Sequence, residues 1–194
     1  HGYAQAMLDG TIPYEAQEKY LNIILSETDR LTNLTSNLLE LNSFNGDNVL
    51  LDITTFNICE TIVQTVNTLE GTAAKKEISF VLDYNTQKEL LVEADESKIH
   101  QVLYNLIDNA VKFSHNNSEI KISLRKKGAK VFVSVKDSGI GIPKESLNKV
   151  FDRFYKTDIS RGKDKRGTGL GLSISKEIIQ AHNQTINVVS TVDV

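Results

Sequence analysis

The sequence predicts an α+β protein, a layered helix-and-sheet domain preceded by an α-helical stalk. Three observations carry that expectation. From Tyr14 to about Asn42 the chain holds neither glycine nor proline, and its apolar residues recur at alternating steps of four and three. Beyond about position 46 the pattern changes to short apolar strands alternating with helices. Two of those strands flank Lys127-Gly128-Ala129, the mark of a hairpin, which argues against an all-parallel sheet and for a mixed one.

Taken in order, His1 to about Gly10 reads as the tail of a helix, stopped by Gly10 and restarted after Pro13. In the long helix, Tyr20, Ile24, Leu31, Leu34, Leu38 and Leu41 form a coiled-coil seam with Glu27 as its polar interruption. A helix of this length, about 43 Å, cannot bury its seam against itself. The expected partners are the preceding helix and a second copy of both, a four-helix homodimer. Ser43 to Asn48 carries Asn, Gly and Asp and is the expected linker, dividing the chain into residues 1–45 and 46–194. Val49–Phe56 reads as a strand. Asn57, with Glu60 three residues on, makes a capping-box-like start for a helix bearing Ile58, Ile62, Val66 and Leu69. Short strands at Ile78–Tyr84 and Leu90–Glu93 lead to a helix from about Glu96 to Phe113. The hairpin strands are Glu119–Lys126 and Lys130–Asp137. A helix near Leu170–His182 and a last strand, Thr185–Ser190, complete the series.

Composition narrows the function. With 40% hydrophobic residues the chain can bury a core, which a disordered chain cannot. A net charge of −3 does not favour nucleic acid or an anionic membrane surface, so no nucleic-acid partner is expected. The single cysteine, Cys59, excludes an internal disulfide framework and suggests a reducing compartment. His1, His100, His115 and His182 lie far apart and match no zinc spacing. No apolar run approaches the roughly 20 residues that span a bilayer. The expectation is a soluble cytoplasmic fragment, cut at both ends.

Three constellations carry chemistry. Asn105, Asn109 and Lys112 stand at i, i+4 and i+7, on the face of their helix opposite Ile99, Val102, Leu103, Leu106, Ile107, Ala110 and Val111. Carboxamide oxygens can ligate a divalent metal, and amide or ammonium nitrogens can hold a phosphate. Alone, that face is equally the solvated side of an amphipathic helix. Next, the strand Val131-Phe-Val-Ser-Val135 runs into Asp137-Ser-Gly-Ile-Gly-Ile-Pro143. A carboxylate at a strand end can accept from the exocyclic amine of adenine, and Gly139 and Gly141 remove side chains where a base would lie. Finally, Gly167-Thr168-Gly169-Leu170-Gly171-Leu172 opens a helix, where backbone N–H groups and the helix dipole favour phosphate. Thr168 in place of lysine excludes a P-loop, and GxGxG so late in the chain disfavours a dinucleotide fold. The charged stretch from about Asp158 to Lys165 is expected to be a poorly ordered lid.

Asn105-Leu-Ile-Asp-Asn109-Ala-Val-Lys112-Phe113, Asp137-Ser-Gly-Ile-Gly-Ile-Pro143, Phe151-Asp-Arg-Phe-Tyr-Lys156 and Gly167-Thr-Gly-Leu-Gly-Leu172 occur in that order. They resemble the N, G1, F and G2 boxes of the sensor histidine kinases of two-component systems, and the resemblance covers nearly the whole chain. It implies a Bergerat-type two-layer α/β sandwich, with helices on one face of a mixed sheet and ATP beneath a lid. By that resemblance Asn105 and Asn109 would bind Mg²⁺ and phosphates, and Lys112 a phosphate. Asp137 would read adenine between Gly139 and Gly141. Tyr155 and Lys156 would flank the base and reach the terminal phosphate, with Lys156 and Asn105 the catalytic pair. Gly167, Thr168, Gly169, Leu170 and Gly171 would fold over the phosphates. The implied partners are a second copy of the chain and a response-regulator receiver domain, with membrane contact only through other segments of the parent protein.

The sequence departs from the pattern at both ends. His1 is followed by Gly-Tyr-Ala, not by the His-Glu/Asp-x-x-x-Pro of a phosphoacceptor helix, so the acceptor histidine is expected to lie outside this chain. Ala181-His-Asn-Gln replaces Ala-His-Gly-Gly, and a final Gly-Thr-x-Phe-x-Phe strand is absent, which would leave a raw sheet edge. Asn105 stands where superfamily ATPases carry a glutamate base; a carboxamide cannot take the proton of an attacking water, so hydrolysis is expected to be slight. The alternatives are an anti-sigma serine kinase, a gyrase-like ATPase, or a nucleotide-binding scaffold that transfers nothing.

Overall fold

Helix α1 (Gly2–Leu8) ends at Gly10, whose φ of +78° turns the chain, and Asp9 Oδ1 accepts from the Thr11 amide (3.0 Å) and hydroxyl (2.6 Å) across the bend. Pro13 then precedes the 30-residue helix α2 (Tyr14–Ser43). The computed structural model describes residues 2–43, 50–84, 89–157 and 167–192, and the chain divides into two units, His1–Ser43 and Phe44–Val194. In the first unit the Tyr3 and Tyr20 rings meet at 5.0 Å. Seven residues of α1 cannot cover a helix four times longer. Leu31 of the seam is 56% exposed, and Leu21, Leu25 and Leu39 are exposed beside it. Of the expected linker, Ser43 to Asn48, Ser43 is still the last residue of α2, and 44–48 lie outside the described residues.

The second unit runs β1 (Ile53–Asn57), α3 (Ile58–Ala74), β2 (Ser79–Asp83), β3 (Leu91–Asp95), α4 (Glu96–Phe113), β4 (Glu119–Lys127), β5 (Lys130–Lys136), a single 3₁₀ turn (Lys144–Ser146) and α5 (Gly171–Ala181). Strand β1 pairs antiparallel with β3, while β2 pairs parallel with β4 and β4 antiparallel with β5. The parallel and antiparallel ladders together make the mixed arrangement the hairpin foretold. Period-two alternation turns Ile120, Ile122 and Leu124 inward, where they are buried with Ile62 and Leu69 of α3 and Ile107 and Val111 of α4. The intervening Lys121, Ser123 and Arg125 face away, so one side of the sheet carries the helices. Among the described residues no helix is long and apolar enough to cross a membrane.

Helix starts and stops follow the local chemistry. Asn57 caps α3, with Oδ1 accepting from the Cys59 amide (3.2 Å) and Nδ2 donating to Glu60 Oε1 (2.8 Å). The same Oδ1 accepts from the Leu90 amide (3.1 Å) at the head of β3. Helix α4 is stopped from outside. The Lys76 ammonium donates to the carbonyls of Val111 (2.8 Å) and Lys112 (2.6 Å) and reaches that of Ser114 (3.5 Å), satisfying acceptors that a helix end leaves bare.

One expected strand is absent. Residues 184–190 join no ladder, and Val189 is 95% exposed. Alternation of Ile186 and Val188 suggested a strand, but a strand needs a neighbour's amides and carbonyls. No described strand pairs with it. The segment is instead pinned where Ser190 Oγ accepts from the Ile142 amide (2.9 Å).

On the outer sheet face Asp83 of β2 pairs with Arg125 (2.7 Å) and Lys121 (3.0 Å) of β4. Hydrogen bonds from Arg125 and then Lys121 hold its carboxyl down at about 2, against an ordinary 3.8. A depressed carboxylate stabilises the fold above its unfolded value, and that contribution is lost as pH falls through the folded one. Acid unfolding followed by circular dichroism should therefore lose part of its steepness between pH 3.8 and about 2 in Asp83→Asn. An unchanged acid limb would show that these exposed pairs contribute nothing, as many do.

Candidate functional site

The face of α4 opposite the core carries Asn105 and Asn109, both half-buried, as the helical spacing required. Asn105 Nδ2 donates to the Gly171 carbonyl (3.1 Å) and to Ser175 Oγ (3.3 Å). A carbonyl only accepts, so the amide orientation is fixed and Oδ1 is the atom left for a ligand. A Cβ at position 171 would stand 3.4 Å from that Oδ1, so this residue lies directly against the carboxamide. The carboxamide face and the helix opened by the glycine loop thus meet at one point. Lys112 is held by Asp108 at 2.6 Å one turn back. The sequence reading overlooked Asp108, although its i, i+4 spacing to Lys112 was visible. Ser175, on the second turn of α5, could be found only from the fold.

At the C-terminal end of α4 the chain doubles back against the loop after β5. Ser114 bridges Gly139, the Phe113 carbonyl accepts from the Ile140 amide (3.3 Å), and the Ser138 carbonyl accepts from the His115 amide (3.3 Å). A Cβ on Gly139 would lie 2.5 Å from the Phe113 carbonyl oxygen and 2.7 Å from Asp137 Oδ1, so only glycine fits. Asp137 itself is exposed, with no hydrogen bond to another described residue. Gly141 has a φ of +67°, and its missing Cβ would overlap the Thr191 carbonyl.

The stretches on either side of 158–166 are clasped. The Phe154 amide donates to the Gly169 carbonyl (3.0 Å), with φ of +64° at Phe154 and +72° at Gly169. Tyr155 donates its hydroxyl to Ser146 Oγ (2.9 Å) in the 3₁₀ turn, and Arg153 pairs with Glu177 of α5 at 3.2 Å. Lys156 and Gly167 are half-buried. Thr168 Oγ1 accepts from the Leu170 amide (3.3 Å). The Leu170 side chain is wholly buried, so only its backbone could meet a ligand. The lid expected at 158–165 lies outside the described residues. Among the described residues no three His, Cys, Asp or Glu side chains gather as a metal site.

A mixed sheet with helices on one side, and a glycine loop opening a helix against a carboxamide-bearing one, is the architecture of a Bergerat-type ATP-binding domain. Comparison with known proteins agrees. Residues 94–193 match the family described as histidine kinase-, DNA gyrase B-, and HSP90-like ATPase, and the chain belongs to that family. Within it the relatives are sensor kinases. The sensor histidine kinase WalK of Bacillus subtilis is 34% identical over 189 residues, which are 95% of this chain and 30% of that protein. The catalytic domain of histidine kinase ThkA shares 38% identity over 68% of this chain and 82% of its own, with a TM-score of 0.60. Acinetobacter baumannii histidine kinase AdeS superposes over 99% of this chain and 87% of its own, with a TM-score of 0.79 at 26% identity. A ThkA structure in complex with the response regulator protein TrrA matches 94% of this chain and 50% of that one, at 33% identity and a TM-score of 0.73. The chain is thus an ATP-binding catalytic fragment of the sensor histidine kinase type, not of the serine-kinase or gyrase-like kinds. It spans about a third of the length of the curated relative.

Proposed function

We propose that Mg-ATP binds along α4, with its adenine at Asp137 and its phosphates between Asn105, Asn109, Lys112 and the loop 167–171. The γ-phosphoryl then goes to a histidine in the helical region of the parent protein, and from there to an aspartate of a response regulator. The observation that carries this reading is the Asn105 amide donating to the Gly171 carbonyl, because it turns one free carboxamide oxygen toward the glycine loop.

Each residue has a distinct part. Asp137 accepts from the adenine amine. Gly139 and Gly141 let the loop after β5 close against the Phe113 and Thr191 carbonyls, which sets where Asp137 stands beside the base. Asn105 and Asn109 present neutral oxygens to a magnesium ion, which would supply charge neutralisation for the transferring phosphoryl. Lys112, drawn from Asp108, and Lys156 meet the remaining phosphate charge, and Tyr155 flanks the base. Amides of Gly167, Thr168, Gly169 and Leu170 lie at the start of α5, where the helix dipole favours anions. With a carboxamide at position 105 there is no base for water, so positioning is preserved and hydrolysis is slight. The acceptor is none of His1, His100, His115 and His182; both ring nitrogens of His182 are already engaged. The exposed leucines of α2 support a homodimer, as one copy leaves them in water. The reading includes a parent protein anchored in a membrane through other segments, with this portion on the cytoplasmic side.

Isothermal calorimetry tests the site. Mg-ATP should bind with about −4 to −8 kcal/mol. Asp137→Asn should cost ATP about tenfold, the worth of a charged hydrogen bond, and leave tripolyphosphate binding unchanged. No heat with Mg-ATP, or equal losses for both ligands, would sink the assignment.

A further inference from the structure

We propose that His182 is a positioning residue of the ATP site, fixing the far end of α5 to the N-cap of α4 so that Asn105 meets the glycine loop at one angle. This rests on the reading of Asn105 as the residue facing magnesium and phosphate. The Asp95 amide donates to His182 Nε2 at 3.0 Å, and His182 Nδ1 lies 2.8 Å from the Ile178 carbonyl. A backbone amide only donates and a carbonyl only accepts. Both bonds can form together only on a ring with its proton on Nδ1 and a bare Nε2.

The anchor at the other end is firm. Asp95 is 7% exposed and caps α4, with Oδ1 accepting from the Lys98 amide (3.1 Å) and the Ser97 hydroxyl (2.8 Å). Its Oδ2 accepts from the Asp52 amide (3.2 Å) just before β1. Burial works against this carboxylate, yet those hydrogen bonds and the Lys98 charge hold it below the ordinary value. His182 therefore ties α5 to a residue already joined to β1, β3 and α4.

Geometry gives the tie its consequence. Helices α4 and α5 are also joined where Asn105 meets Gly171 and Ser175. Asp95 to Asn105 and Gly171 to His182 are each about 15 Å of helix, so the two ties stand at opposite ends of α5, one at the head of α4 and the other at its middle. One tie is a pivot; two fix a direction. Without the His182 bond, α5 keeps its packing through Ile174 and Ile178 but loses the polar contact that sets its angle about Asn105. The Asn105 amide must then follow Gly171 or release it, and either change turns Oδ1 from its line. His182 touches no substrate in this scheme and acts through Asn105.

Two measurements on the ¹⁵N-labelled chain decide it. Long-range ¹H–¹⁵N correlation should find His182 neutral with its proton on Nδ1, and a coupling across the hydrogen bond should join its Nε2 to the Asp95 amide. An Nε2–H ring, or no such coupling, overturns the tie whatever the variants do. Calorimetry with Mg-ATP then compares His182→Phe with His182→Gln, whose side-chain oxygen can reach the Nε2 position. The phenylalanine variant should lose about tenfold in affinity and the glutamine variant should recover most of it, as residues that orient a ligand do. Wild-type affinity in a folded His182→Phe chain overturns the proposal while leaving the ATP site intact. If the unaltered chain binds no Mg-ATP, the site reading fails and the proposal with it, and the nitrogen coupling still reports separately on the tie.

Discussion

Lys76→Met is expected to cost about 2–3 kcal/mol in urea denaturation, although residue 76 lies on a loop. Its ammonium closes the C-terminus of α4 through the carbonyls of Val111, Lys112 and Ser114. The helix stops at Phe113, so the Val111 and Lys112 carbonyls have no amide one turn on; the His115 amide is already spent on Ser138. Methionine keeps the apolar stem and removes only the donor, which leaves buried acceptors unsatisfied. The loss should not stop at stability. The Phe113 carbonyl in the same turn holds the Ile140 amide, so the Gly139 loop should loosen and Mg-ATP affinity fall with it. A loss under about 0.5 kcal/mol would mean that water caps this helix as well as lysine does.

Gly141→Ala should be the most damaging single methyl in the second unit, and Gly128→Ala is its control. Both glycines have left-handed backbones, with φ of +67° and +62°. Alanine in that conformation costs about 1–2 kcal/mol wherever it stands. At Gly128, in the hairpin turn, a Cβ meets nothing within 4 Å, so strain is the whole cost. At Gly141 the methyl would overlap the Thr191 carbonyl and approach Val192 Cα to 2.8 Å. Segment 184–192 must then move off, and the Ile142–Ser190 hydrogen bond, worth about another 1 kcal/mol, goes with it. Mg-ATP affinity should fall more than about tenfold in Gly141→Ala and stay unchanged in Gly128→Ala. Equal stability losses in the two variants would show that the segment yields without cost.

Much of the second unit was legible because its signals are local. Helix α4 was placed at Glu96–Phe113 from its apolar period and begins and ends there. The Asn57–Glu60 capping pair formed as read, and the hairpin closed about its glycine. What failed to appear was the strand at Thr185–Ser190, which joins no ladder and is held through Ser190 instead. The seam of α2 was legible too, although one copy of the chain leaves Leu31 in water.

The sequence by itself determined which residues the proposed site is built from. Asn105, Asn109, Asp137 and the glycines of 139–141 and 167–171 were marked by residue type and spacing, which need no third dimension. Only the tertiary structure decided how they are held. Lys76 lies 35 residues before Val111, and His182 lies 87 residues after Asp95. No periodicity links such pairs, because a hydrogen bond between distant segments exists only once packing has brought them together. For the same reason the burial of Leu170, which stood among the expected ligand contacts, was not legible: its side chain is wholly enclosed, and its backbone alone remains to face a phosphate.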